Sequence, residues 1–211
     1  ADLDEPRYLD AARRAADAVL THMRGDDAGL LRTMRGGRAK IAGFLEDRHT
    51  QAFPSFGSER MGAPVMAFCR FDDKPIRLRE PVMAPDALII QDTTLLHQVS
   101  LFEGVSDSGY VLINSRRSTA DLGLDDFFAA HPSIEVLTVP ASQLAQEHVG
   151  RPLPNAALLG GFAALTEVVK IDSVVAAIEN KFSGRIAQGN IAAARAAWES
   201  VQLTRGGVTA C

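Results

Sequence analysis

Arg60 stands in a turn-rich polar stretch, Gln51 to Gly62, with Ser58 and Glu59 beside it. Phe53-Pro54 forbids a helix there, and Gly57, Gly62 and Pro64 punctuate the chain. From Pro64 to Phe71 the sequence then runs nearly without charge. A short apolar run bounded by glycine and proline reads as a buried strand, and polar loops at strand ends are where α/β sheets bind ligands. The stretch is therefore either a binding loop or an ordinary surface turn before a core strand. A second glycine-rich point, Arg35-Gly36-Gly37, has backbone amides suited to cradling a phosphate, although a glycine pair serves a tight hairpin turn more simply.

No other spacing organises a reactive centre. His22, His49, His97, His131 and His148 are scattered without metal-ligand spacing, and no serine lies in a Gly-x-Ser-x-Gly elbow. Cys69 sits in the apolar run with no histidine close in sequence. The pairs Asp72-Asp73 and Asp125-Asp126 fall beside turns or a helix start, where carboxylates are solvated or favour the helix dipole. Cys69 and Cys211 are the only cysteines, too few for a disulfide framework or an iron–sulfur ligand set. Taken alone, the chain reads as catalytically incomplete.

The elements that would position these residues follow from patterning. With 211 residues, 46% of them hydrophobic, the chain can bury a sizeable core. A net charge of −4 with dispersed basic residues argues against a nucleic-acid partner. The apolar runs are too short for a bilayer and the acidic N-terminus is unlike a signal peptide, so a cytoplasmic location is expected. Leu9, Ala12, Ala16, Val19 and Met23 recur at helical spacing and predict a helix over residues 5 to 24, docking its Leu9, Val19 and Met23 face on the remainder. Gly29 to His49 reads as two extended pieces around Arg35-Gly36-Gly37. Further strands are predicted at Ala87–Gln91, Tyr110–Asn114 and Ile134–Val139. The helices are expected at Asp121–Ala130, Ala141–Val149, Asn155–Val169, Ser173–Phe182 and Asn190–Val201, and Asp92-Thr93-Thr94 is suited to capping another that runs through Leu101. Strands alternating with helices predict an α/β fold: a doubly wound, mostly parallel sheet with helices on both faces and an N-terminal helical appendage.

The blocks QAFPSFGSERMGAPVMAFCRF (51–71), DKPIRLREPVMAPDALIIQDTTLL (73–96), GRPLPNAALLGGFAALTEVV (150–169) and ENKFSGRIAQGNIAAARAAWES (179–200), in this order, resemble the gamma subunit of pyruvate, or more generally 2-oxoacid, ferredoxin oxidoreductases. The resemblance covers roughly residues 50–201. The family's opening strand and HGRGGQG-like loop are missing from it, Arg35-Gly36-Gly37 being the nearest echo. YLDAARRAADAVL and DAGLLRTMRGGRAKIAGFLED instead resemble part of the α/α-barrel of thioredoxin-domain proteins related to the spermatogenesis-associated family, as in a fusion or chimera. The implied division is an atypical segment 1–48, a gamma domain 49–203 and a tail 204–211.

The resemblance implies a subunit supporting CoA-dependent oxidative decarboxylation of a 2-oxoacid to an acyl-CoA with reduction of ferredoxin. Thiamine diphosphate and the iron–sulfur clusters would reside on alpha, beta and delta-type partner subunits, which reach ferredoxin, while this chain shares a coenzyme A site and has no catalytic residue of its own. The family's basic turn residue falls on Glu59-Arg60, which makes Arg60 the candidate for a CoA phosphate; its planar fork can take two phosphate oxygens, and the alternative is an ion pair with Glu59 or Glu46. The family's Pro-Asn falls on Pro154-Asn155, where Asn155 either caps a helix or presents its amide to the cofactor. The loop from Gly184-Arg185 to Gly189-Asn190 supplies Arg185 and Asn190 as further candidates. A non-catalytic nucleotide-binding or scaffold module of the same fold is the alternative function.

Overall fold

The computed structural model describes residues 17–21, 37–55, 66–78, 80–97 and 101–208. In chain order the elements are β1 (Asp17–Thr21), α1 (Gly37–Phe44), β2 (His49–Ser55), β3 (Met66–Asp72), β4 (Ala87–Ile90), a 3-10 helix (Thr93–His97), β5 (Tyr110–Asn114), α2 (Asp125–Ala130), β6 (Glu135–Val139), α3 (Ala141–Val149), α4 (Asn155–Thr166), α5 (Ile171–Lys181) and α6 (Gly184–Val208). The strands form one sheet in the order β2-β3-β1-β4-β5-β6. β1, β4, β5 and β6 run parallel, while β3 is antiparallel to both β1 and β2.

Strand periodicity sorts the core onto two faces. Ala87, Ile89, Leu112, Cys69, Phe71 and Val139 point to one, against α1, α3, α4, α5 and α6. Leu88, Ile90, Val111, Ile113 and Phe68 point to the other, covered by Phe102, Leu122, Leu124, Phe127 and Phe128 from shorter connections. α4 reads NAALLGGFAALT, and every one of its residues is buried, since the sheet lies on one side and α6 on the other. Among the described residues no helix is long and apolar enough to cross a membrane.

The N-terminal expectations need correction. In place of a helix running to residue 24, residues 17–21 form β1, and this strand lies inside the sheet between β3 and β4. The pattern AADAVL satisfies a helical period, but ladders on both sides supply backbone partners that no local helix tendency outweighs. The rest of the expected 5–24 helix lies outside the described residues. Gly37 onward is likewise helical, not the second arm of a hairpin: α1 sets the small residues Ala39, Ala42 and Gly43 against the core. A Cβ on Gly43 would come within 2.6 Å of the Phe71 ring, so the glycine that weakens the helix signal is what lets the helix approach. Phe53-Pro54 is no loop either: both residues are in β2, an outer strand, where a proline costs no ladder bond. Arg185 and Asn190 lie within α6 and not in a loop.

Arg205 locks the far end of this layer. Its guanidinium donates to Glu135 at 2.8 Å, to Glu167 at 3.0 Å and to the Ala164 carbonyl at 2.9 Å, joining α6 to β6 and to the end of α4. Partial exposure weakens the ion pairs, but the Ala164 carbonyl loses a charged donor if the guanidinium is removed. Arg205→Ala is expected to cost about 1–2 kcal/mol in urea denaturation, with fold and assembly intact.

Candidate functional site

The connection from β1 through α1 to β2 crosses the face carrying Ala39 and Ala42, whereas those from β4 to β5 and from β5 to β6 cross the opposite face. The winding direction therefore reverses between β1 and β4. In open α/β sheets that reversal opens a crevice beyond the carboxyl ends of the two strands, and ligands bind there. Its floor here is the paired ends Thr21 and Ile90. The amino end of α1 at Gly37 faces this edge, because α1 leads back to the start of β2. α4 also starts here: its far end, at Ala164 and Glu167, meets Arg205 and Glu135 at the opposite edge. Asn155 thus stands at the crevice edge of the sheet. The segment 56–65, which carries Glu59 and Arg60, joins Ser55 to Met66, register partners at the same edge, so both of its ends are anchored there. Glu59 and Arg60 themselves lie outside the described residues.

Asn155 does not cap α4. It is the first helical residue, Pro154 occupies the cap position, and no side-chain cap bond forms. Asn155 is only 9% exposed, and its Oδ1 is buried without a hydrogen-bond partner. An unsatisfied buried carbonyl of this kind costs about 1–3 kcal/mol until a donor reaches it. Neighbouring polar groups are, by contrast, already used. The Asn114 amide donates to the Gln91 carbonyl at 2.9 Å and to Ser142 Oγ at 2.8 Å, and its Oδ1 accepts from the Ser142 amide at 3.1 Å. That clamp holds the end of β4, the end of β5 and the start of α3 in one arrangement. Asp92 Oδ1 accepts from both the amide and the hydroxyl of Thr94, capping the 3-10 helix as its sequence implied. Asn114 and Gln91 were not among the candidates from sequence; a polar residue terminating an apolar strand was the available signal.

The remaining candidates separate. Asn190 is buried, and its Nδ2 donates to the Ile186 carbonyl in its own helix. Arg185 is exposed at the start of α6. Glu46, considered as an ion-pair partner of Arg60, lies beyond the carboxyl end of α1, and its Oε1 accepts from the Lys170 amide at 2.7 Å. The pairing with Arg60 itself involves a residue outside the described ones.

The sequence profile of one family, described as pyruvate ferredoxin/flavodoxin oxidoreductase, matches residues 33–200. Its span takes in Arg35-Gly36-Gly37, ahead of residue 50, where the resemblance in the sequence blocks begins. The pyruvate synthase subunit PorC of Methanothermobacter thermautotrophicus is 38% identical over 179 residues, covering 81% of this chain and 94% of that protein. The common gamma subunit of the pyruvate/ketoisovalerate oxidoreductases of Pyrococcus furiosus is 38% identical over 177 residues, covering 80% and 94%. Among solved structures, pyruvate oxidoreductase subunit PORC of Thermotoga maritima superposes with a TM-score of 0.72 at 26% identity, over 87% of this chain and 95% of that one. A 2-oxoglutarate:ferredoxin oxidoreductase of Magnetococcus marinus shares the fold at 12% identity and TM-score 0.59, and this chain spans only 31% of its length.

Proposed function

The chain belongs to the pyruvate ferredoxin/flavodoxin oxidoreductase family, and from that premise we infer that it is the gamma subunit of a 2-oxoacid:ferredoxin oxidoreductase and lends its crevice to coenzyme A. The subunit assignment rests on relatives of nearly the same length that are themselves separate PorC or gamma subunits. Thiamine diphosphate and iron–sulfur chemistry belong to partner subunits in this reading, and the complex works in the cytoplasm.

The observation that carries the coenzyme A assignment is the orphaned Oδ1 of Asn155 at the edge where both ends of the segment carrying Arg60 are anchored. The groups present fit the cofactor's chemistry. Its phosphates are anions, matched by Arg60 and by the positive end of α1 at Gly37. A carboxamide oxygen wants an N–H or O–H donor, of which the adenine, the ribose and the pantetheine arm each supply one. When bound, coenzyme A supplies the thiol that accepts the acyl group. The Magnetococcus enzyme was solved with coenzyme A and succinyl-CoA, which makes this ligand chemistry one that the fold's larger relatives handle.

In the assembled complex, Arg60→Ala is expected to weaken CoA binding about 10- to 100-fold, the range for a charged hydrogen bond, without changing the melting temperature. Asn155→Ala should weaken it less and leave folding stability unchanged or slightly raised, since the substitution removes an unpaired buried carbonyl. Calorimetric titration with CoA at low ionic strength reads both. Equal dissociation constants for wild type and both variants would remove the crevice from coenzyme A binding, whereas failure to co-assemble with subunits bearing thiamine diphosphate would remove the subunit assignment itself.

A further inference from the structure

We propose that a groove at the opposite edge of the sheet from the crevice is a docking surface that receives a basic side chain, lysine or arginine, from a partner subunit of the complex. The proposal rests on the gamma-subunit reading. The groove opens where the chain enters β5 and β6, as a cavity of about 420 Å³. Its floor is aromatic: Phe102 stacks on Phe127 at 4.6 Å between centroids, and His131 stacks on Phe127 at 4.4 Å. Glu103 and Asp107, both exposed, stand at its rim, and no ion pair or hydrogen bond engages either carboxylate among the described residues.

Both acidic side chains of the groove, Glu103 and Asp107, are acceptors. His131 Nδ1 lies 2.8 Å from the Phe127 carbonyl, which can only accept, so Nδ1 donates there and fixes the ring on the aromatic floor. Two carboxylates and aromatic faces share one preference, a cation with N–H donors. An anion would be repelled, and a purely apolar occupant would strip water from the carboxylates without compensation. The occupant's attachment to a protein is argued from the rim: Gly104, at φ 80°, packs against the Met83 carbonyl where a Cβ would collide, and Met83 itself is 79% exposed. A free small cation has no use for that apolar shoulder, whereas a basic residue arriving with an apolar neighbour covers it. A partner seated here leaves the coenzyme A edge open.

The test uses the full chain and its partner subunits. Titration of the remaining subunits with wild-type chain, followed by mass photometry, gives the assembly constant; the double variant Glu103→Gln/Asp107→Asn is compared with it, and Glu199→Gln, an exposed carboxylate on α6, is the control. The double variant is expected to assemble 10- to 100-fold more weakly and with a flatter salt dependence, its thermal midpoint unmoved, while the control matches wild type. Equal assembly constants overturn the docking surface. A parallel titration of the isolated full chain with agmatine and N-acetyl-lysine amide separates the small-molecule case: micromolar binding of either with unchanged assembly overturns the proposal too. A wild-type chain that joins no such subunits removes the gamma-subunit reading, and the proposal with it.

Discussion

A chain lacking residues 1–46 is expected to yield no soluble, monodisperse product. The deletion removes β1, whose five residues pair antiparallel with Met66–Arg70 of β3 and whose last four pair parallel with β4. Without it the β2–β3 hairpin has no ladder to the other three strands, and two long edges face water unpaired. α1 leaves as well, uncovering Phe71 and Cys69 on the helix-rich face, at roughly 25 cal/mol for each Å² of apolar surface returned to water. Size-exclusion chromatography and circular dichroism decide it: a truncated chain running as one species at the parent's melting temperature would show that β1 is dispensable. The N-terminal segment contributes a central strand, which is a different role from the peripheral appendage its composition predicts.

Gly160→Ala should strongly destabilise the fold. A Cβ there collides with the Ala194 carbonyl oxygen and lies 2.7 Å from that carbonyl's carbon and 2.9 Å from Ala194 Cα. All three are backbone atoms, so no rotamer change relieves the contact and α4 must separate from α6 along the most extensive helix pairing of the fold. Alanine gains about 1 kcal/mol of helix propensity, but overpacking of a rigid interface costs about 1–3 kcal/mol and more where backbones collide. The net loss is expected near 2–3 kcal/mol, a fall of about 5–10 °C in melting temperature for a chain of this size. Gly206→Ala is the matched control: the same helix, nothing within 4 Å of its Cβ position, and therefore a small rise in stability. A Gly160→Ala chain melting with wild type would mean that the two helices are not held at this distance.

The two halves of the sheet differed in legibility for physical reasons. Tyr110–Asn114 and Ala141–Val149 were bounded correctly to the residue because each is a strongly apolar or strongly periodic run ending at a clear stop, Gly150 closing α3 with a left-handed φ of 81°. β1 and α1 were misassigned because their signals are tertiary. DAVLT has no alternation of its own, and GRAKIAGF is a weak helix former whose Gly43 serves close approach. Beside the candidate site, the core strand Met66–Asp72 was legible, since its apolar run is bounded locally by proline and glycine. The orphaned oxygen of Asn155 was not: capping and burial at a Pro-Asn step look identical until the cap position is known to be proline. Glu46 accepts from the Lys170 amide, a contact 124 residues away in sequence that no local spacing reveals.

The all-round burial of α4 has a consequence during synthesis. Its cover comes from α6, which ends roughly forty residues further along the chain. At about 5–20 residues per second, a ribosome needs about 2–8 s to make that interval, and more before the helix clears the exit tunnel. Throughout it, a twelve-residue segment without a single charged side chain lies on the nascent sheet with its outer side bare. The nascent chain is then a substrate for holdase chaperones, and a slow codon placed after Thr166 would lengthen its exposure without altering one atom of the finished protein.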